Sequence, residues 1–345
     1  MAEITVMGAG ILGLSLAWAL RQRGAQVRVL EKRHPGAGSS GGTVGALAPH
    51  VPEQWNAKKQ FQFESLRMAP KFWTTIAEVS GHDPGYARLG RVQPLLDDAA
   101  IELAQTRAEN AQTLWQGFAE WRVCETRDLP VCRLHSPTGL VVFDTLSARL
   151  SPRRACDALT AALARSGVPV EQGDTATGTV IWATGADGLA DLSQALGQSV
   201  GTPVKGQSAL LQADWRHEPQ LFIDGLHIVP HSDGTVGIGS TTERDWTDTG
   251  PDAQLDTLID TARRACPDLT DAPVIDRWAG LRPRARSRAP MLGPWPGRPG
   301  HFVLNGGFKI GFGMAPRLAQ VMADLVLDGV DNIPEGFRLA DNLRT

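Results

Sequence analysis

The chain opens on a short apolar run, Ile4 to Met7, rich in β-branched residues and lacking the polar alternation of a half-exposed strand. Such a run suits a parallel strand buried on both faces. A helical stripe comes next (Leu14, Ala17, Trp18, Leu20), and after Gly24 the segment "QVRVLEK" reads as a second strand ending at Glu31. Further on, Ala155, Leu159, Ala162 and Leu163 recur at helical spacing. They predict a helix over 152–165, with Ser151 as N-cap and Pro152 at its first position. "TVIWATGA" is an apolar strand ending in Thr-Gly, and "LHIVPHSDGTVGIGST" reads as two strands about an SDG turn. Near the carboxyl end, Leu318, Val321, Met322, Leu325 and Val326 mark one face of a helix over 315–327, with Gly329 beyond it.

The first strand and helix are joined by Gly8, Ala9, Gly10, Ile11, Leu12 and Gly13, a G-x-G-x-x-G turn. In that setting the glycines serve a tight turn, close approach of a pyrophosphate and close helix–strand packing, while the helix N-terminus receives phosphate charge. Glu31 stands where an acid can accept hydrogen bonds from a ribose diol. Strand, turn, helix, strand and acid together point to a dinucleotide. The chain then continues not into another βα unit but into Lys32 to His50, a segment rich in small residues. Lys32, Arg33, Ser39, Ser40, Gly42, Thr43, Gly45 and Leu47 offer hydroxyls and bare backbone to a longer cofactor, the alternative being a flexible surface loop. The "ATG" segment (Ala183, Thr184, Gly185) is a second place for backbone to approach it. A second glycine-rich stretch, "VLNGGFKIGFGMAP", precedes the last helix and holds one charge, Lys309.

Composition narrows the class. The 345 residues suggest about two domains, and 42% hydrophobic with 21% charged residues is a globular balance. A net charge of -3 sets up no global attraction to nucleic acid or anionic membrane. No apolar stretch approaches the roughly 18 residues of a transmembrane helix, and no leader precedes the first motif, so a cytoplasmic location is expected. Cys124, Cys132, Cys156 and Cys266 are scattered without a C-x-x-C pair, consistent with reduced thiols. The histidines show no metal-ligand spacing, and no G-x-S-x-G elbow suggests a hydrolase, so no metal is expected.

Taken in order, "GAGILGLSLAWAL", "GSSGGTVGALAPH", "VIWATGA", "VKGQ", "HIVPHSDGTVGIGSTTERDW", "WAGLRP" and "GGFKIGFGMAP" resemble the D-amino-acid oxidase superfamily of FAD-dependent oxidoreductases. The similarity is nearest to its glycine oxidase and sarcosine oxidase branch. The resemblance implies an α/β (overall α+β) chain: a Rossmann-like FAD-binding domain with an interleaved antiparallel-sheet substrate domain. The FAD domain would comprise 1–88, 145–203 and 282–345, and the substrate domain 89–144 and 204–281. It implies oxidation of the C–N bond of a small amino acid or N-alkyl amino acid, with hydride passing from Cα to flavin N5. The electron acceptor would be O2 or another carrier.

Site residues are carried over position by position. The Arg of "GLRP", Arg282, matches the family's carboxylate-binding Arg, and a planar, always-charged fork suits that task; the alternative is a loop support. Lys309 matches the Lys that assists with the carboxylate in sarcosine oxidases; the alternative is a surface Lys. His227 falls where glycine oxidases place an active-site aromatic, and His50 stands just past the flavin-facing loop; either could be structural. Gly307, Phe308, Ile310, Gly311, Phe312, Gly313 and Met314 would hold the flavin ring. Relatives carry a β-meander before the "ATG" strand, whereas only "EQGDTATG" intervenes here, so Ala176 is the nearest candidate for the adenine contact. No Cys follows Cys266, so FAD is expected to be non-covalent, and Gly237 replaces the Lys with which the covalent branch activates oxygen. Two other readings remain: an oxidase acting on modified tRNA, which the charge disfavours, and a flavoprotein subunit of a larger assembly. Isolated Trp55, Trp115 and Trp121 could build a pocket or an interface, and a homo- or hetero-oligomer is open.

Overall fold

The computed structural model describes residues 3–343. In chain order the first half comprises β1 (Ile4–Met7), α1 (Ile11–Gln22), β2 (Val27–Glu31), β3 (Ala46–Leu47), α2 (Ala57–Ser80), β4 (Arg91–Pro94), α3 (Asp98–Leu114) and β5 (Trp121–Glu125). Then come β6 (Leu140–Asp144), β7 (Ala148–Arg149), α4 (Pro152–Arg165), β8 (Val170–Gln172), β9 (Thr179–Trp182), α5 (Gly185–Ala195) and β10 (Gly201–Gln212). The remainder is β11 (Gln220–Ile223), β12 (Leu226–Pro230), β13 (Thr235–Gly239), α6 (Ala253–Ala265), β14 (Val274–Ala285), β15 (Met291–Pro294), β16 (His301–Asn305) and α7 (Gly311–Asp328).

β1 is buried along its whole length and is paired in parallel on both edges, with β2 and with β9; its one polar side chain, Thr5, donates to Thr177 O at 2.7 Å. It lies inside a sheet of order β15-β16-β9-β1-β2-β8, parallel except for β15. The chain turns one way to β2 and the other way to β9, so the carboxyl ends of β1 and β9 form the crevice where such sheets receive ligands. On one face α1, α2, α4 and α7 pack together; Leu14, Phe63, Trp73, Leu159, Leu318 and Met322 share that core. α5 covers a smaller cluster with Leu189, Leu192 and Val303.

The second sheet has order β14-β10-β13-β12-β11-β4-β6-β5 and is antiparallel but for the β11–β4 pair. Its strands alternate. Ala209, Leu211, Ile228, Val236 and Ile238 face α6 in an apolar core with Leu255, Ile259 and Ala262, so residues of opposite parity face the first sheet. β10 and β14 run unbroken across the divisions anticipated at 203/204 and 281/282.

Most local expectations hold: β1, β2, the β12–β13 hairpin and α4 stand where periodicity put them. Two differ. Ser151 occupies the N-cap position of α4, yet its side chain makes no capping bond. The last helix begins at Gly311 rather than 315, so Gly311, Phe312, Gly313 and Met314 form its first turn. Glycine's low helix propensity and Pro316, which has no N–H to give, hid that turn. Trp115 and Trp121 are buried in the core in an edge-to-face pair at 6.1 Å and build neither pocket nor interface.

One buried ion pair holds β4 to β6. Arg91 Nε donates to Asp144 Oδ2 at 2.9 Å, and the same carboxylate accepts from Ser147 N at 2.7 Å and Ser147 Oγ at 3.0 Å. Removing the acid would leave Arg91 buried without a counter-charge. Asp144→Ala is therefore expected to cost about 3–5 kcal/mol, measured by equilibrium denaturation; a loss below about 1 kcal/mol would contradict the assignment.

Candidate active site

The first glycine turn is held against β9 by its backbone. Gly8 has φ 101°, and a Cβ there would lie 2.5 Å from the Ala183 carbonyl oxygen; one at Gly13 would lie 1.9 Å from Gly8 O. No larger residue fits either place. Ala183 N–H donates to Met7 O at 2.8 Å, which brings Ala183, Thr184 and Gly185 beside the turn. Space above Gly10 is bounded only by Ser40 Oγ, which accepts from Ile11 N–H at 2.9 Å. Glu31 accepts from Ala9 N–H at 2.8 Å and Arg33 N–H at 3.0 Å, and its oxygens keep lone pairs for a ribose hydroxyl. Ala176 is half-buried beside Met7, Leu30 and Val180, next to the same crevice.

The second glycine loop comes to the same place from the other side. A Cβ at Gly307 would touch Leu12 at 3.4 Å, and one at Gly311 would touch Ile11 at 3.6 Å. Asn305 Nδ2 donates to Gly185 O at 2.9 Å, and its Oδ1 accepts from Gly306 N–H at 2.7 Å, tying the loop to the start of α5. Neither α1 nor α7 has an acidic residue in its first turn or a capping bond from its N-cap side chain. Two helix ends with uncompensated positive potential thus converge on one crevice, which fits a ligand with two anionic centres, as FAD has in its pyrophosphate and its reduced ring. Within the intervening loop, Thr43 Oγ1 donates to Ser208 Oγ at 2.8 Å and Gly42 lies against the Trp278 ring, while the Leu47 side chain belongs to the core. Lys32 and Arg33 are exposed.

Across the second sheet one row of cross-strand neighbours runs Trp278, Ser208, Gly239, His227, Phe222. Arg282 lies four residues from Trp278 on the same face of β14. Its Nη1 donates to Thr241 O at 3.0 Å, and its guanidinium stands 6.0 Å from the Trp278 ring. Lys309 Nζ donates to Thr242 Oγ1 at 2.6 Å, reaching from the second glycine loop to the sheet. Among the described residues neither cation has an acidic partner within ion-pair distance.

Burial lowers Arg282 to about 10, with the Glu243 charge opposing. Burial and then the Arg282 charge lower Lys309 to about 8. Lys309 is exposed to solvent at the rim of the second glycine loop. His227 is held at about 3, by burial first and then by the Arg91 and Lys309 charges, so it is neutral at ordinary pH. Its Nδ1 is buried with no hydrogen-bond partner, and its ring lies 4.6 Å from Phe222. His50 is fixed by Gln62, whose Oε1 meets Nδ1 and accepts from His50 N–H at 2.7 Å.

The structure adds residues that single-sequence reasoning passed over, chiefly the glycine of "VKGQ". Gly206 pairs with Gly280, and a Cβ on Gly206 would overlap Arg282 Nη1 at 1.5 Å. The guanidinium lies flat across this gap. Gly280 makes the same room for Trp278, whose Cζ2 would be 2.4 Å from an added Cβ. The motif was visible, but its reason is cross-strand and needs the register. Gly206→Ala is accordingly expected to dislodge Arg282 while FAD stays bound. Affinity for acetate, read from the flavin spectrum, should fall about tenfold or more; unchanged affinity would refute the packing argument.

The model of the DAO family, described as FAD-dependent oxidoreductases, matches residues 3–325. Glycine oxidase of Pseudomonas putida is 26% identical over 376 aligned positions, covering 97% of this chain and 98% of the relative. The crystal structure of glycine oxidase from Geobacillus kaustophilus superposes with a TM-score of 0.84 at 23% identity, covering 100% of this chain and 98% of that one. That of iminodiacetate oxidase from Chelativorans sp. BNC1 gives 0.82 at 21%, covering 96% and 97%. Both likenesses extend over nearly the whole of this chain, so the fold is shared along its length. With a family match spanning nearly its full length and a crevice shaped for the cofactor, the chain belongs to the DAO family of FAD-dependent oxidoreductases.

Proposed function

We propose that the protein oxidises the Cα–N bond of a small amino acid or N-alkyl amino acid that it grips by the carboxylate. The observation that carries this is the pair Arg282, on the second sheet, and Lys309, reaching toward that sheet from the second glycine loop, two cations without an acidic partner among the described residues. The arrangement is complementary to a carboxylate, whose charge both can share. Bound FAD, held non-covalently by the residues of the two loops, would supply the two-electron acceptor for the Cα hydrogen and its electron pair, leaving an imino acid. The protein's own task is orientation. Arg282 fixes the carboxylate plane, and Lys309 adds a second, mobile donor. Neutral His227 brings no third charge and offers Nδ1 to the substrate's polar atoms. His50, anchored by Gln62, is assigned to the wall facing the sheet.

At Gly237 a Cβ would lie 2.2 Å from Thr43 O and 2.8 Å from His231 Nε2, so no side chain fits where the covalent branch carries its oxygen-activating Lys. Reoxidation by O2 or by another carrier would therefore proceed without that group. None of the described helices is long and apolar enough to cross a membrane, and all four thiols are free, which supports placement in the cytoplasm.

Anaerobic mixing of the yellow holoprotein with glycine, sarcosine, proline and D-amino acids should bleach the flavin with at least one; no reduction across the set would sink the proposal. Acetate binding isolates the clamp, because acetate does not titrate in the working range. Lys309 is charged below about 8 and neutral above it. Acetate affinity should hold from about pH 6 to 7 and decline as pH rises through 8. Lys309→Met should weaken it about tenfold at pH 7 and flatten the profile. A wild-type profile already flat to about pH 9 would return Lys309 to the surface.

A further inference from the structure

On the opposite side of β10, facing α6, lies a polar cluster that the proposed reaction does not use. Lys205 is 1% exposed. Its Nζ donates to Asp252 Oδ2 at 2.6 Å and stands 3.5 Å from Glu243 Oε2. Buried Gln207 joins the two acids: Nε2 donates to Glu243 Oε1 at 2.9 Å and to Asp252 Oδ1 at 2.7 Å, and Oε1 accepts from Asp252 N–H at 2.8 Å. The main chain is clipped there as well, with Lys205 N–H to Glu243 O at 3.0 Å and Glu243 N–H to Lys205 O at 2.9 Å.

Thr241 connects this cluster to the substrate face. Its hydroxyl donates to Glu243 Oε1 and accepts from Gln207 N–H at 2.8 Å, while its carbonyl accepts from Arg282 Nη1 at 3.0 Å. One lysine stands against two carboxylates, so the cluster carries a surplus negative charge opposite in sign to Arg282. That charge is one residue removed from the guanidinium. A carboxylate in direct contact would neutralise the fork and occupy it; here a single N–H is engaged and the others stay open.

We propose that Lys205, Gln207, Glu243 and Asp252 act through Thr241 as positioning residues, holding the Arg282 guanidinium fixed and charged while leaving its remaining donors free for the substrate carboxylate. The inference rests on the carboxylate-clamp reading of Arg282. It gains support from the Glu243 charge, which raises the Arg282 pKa against burial.

The test uses FAD-loaded protein and two readouts: acetate affinity from the flavin spectrum and the melting shift that saturating acetate produces. Thr241→Val removes the hydroxyl but keeps shape and backbone; Thr241→Ser restores the hydroxyl. Glu243→Gln removes the charge but keeps the acceptor oxygen. Thr241→Val and Glu243→Gln should each weaken acetate about tenfold and shrink the melting shift, with Thr241→Ser within about twofold of wild type. Retained acetate affinity in folded Thr241→Val and Glu243→Gln would overturn the proposal, as would equal losses in Thr241→Ser and Thr241→Val. Should the buried variants not fold, Asp252→Asn tests the same charge from a side chain 38% exposed, and wild-type affinity there also overturns it. Arg282→Met separates the two ideas: acetate binding that survives it would defeat the clamp reading itself.

Discussion

A guanidinium buried from water, with most of its donors uncommitted, is the condition around which this edge of the second sheet is built. The same sheet shows what happens without that requirement. Arg91 touches Asp144 directly, the pair is closed by Ser147, and the result is a strut between β4 and β6. Arg282 has its compensating acid displaced behind Thr241, and Gly206 leaves the room its head occupies. The two arginines differ less in burial than in the distance to their carboxylates. That distance separates a structural charge from one available to a ligand.

The cofactor half relies on backbone instead. Gly8, Gly13 and Ala183 approach one another more closely than any side chain would permit, because the crevice between β1 and β9 must present N–H groups rather than Cβ atoms. The Ser39–Thr43 loop then serves both halves. Ser40 accepts one N–H at the amino end of α1, while Thr43 bonds Ser208 on the second sheet and His231 Nε2 bonds the Thr43 carbonyl at 3.0 Å. The two sheets are therefore indexed to each other through this one loop.

How much of this was legible depended on the range of the interaction. β1–α1–β2, α4 and the hairpin are specified by neighbours a few residues away, and they stand where spacing put them. The first turn of α7 was not legible, since its glycines and Pro316 argue against helix along the sequence. Arg282 and Lys309 could be named from their chemistry and from the motifs around them. Their settings could not. Gly206, Thr241 and Glu243 matter through pairings across β10, β13 and β14, and no pattern along one strand reveals what stands beside it.

The pairing of Gly206 with Gly280, flanked by Val204 with Arg282 and Ser208 with Trp278, also limits how chains of this kind can differ in length. Side chains alternate across a strand, so a single residue inserted within 278–282 would turn Arg282 toward α6 and bring Leu281 to the opposite face, and one inserted within 204–208 would bring Lys205 to the face that Gly206 now leaves open. The register shift in this pair falls between Leu210 and Leu211, past that stretch. Insertions and deletions among homologues belong beyond the ends of these two segments. An alignment that opens a gap inside either one has misplaced the arginine.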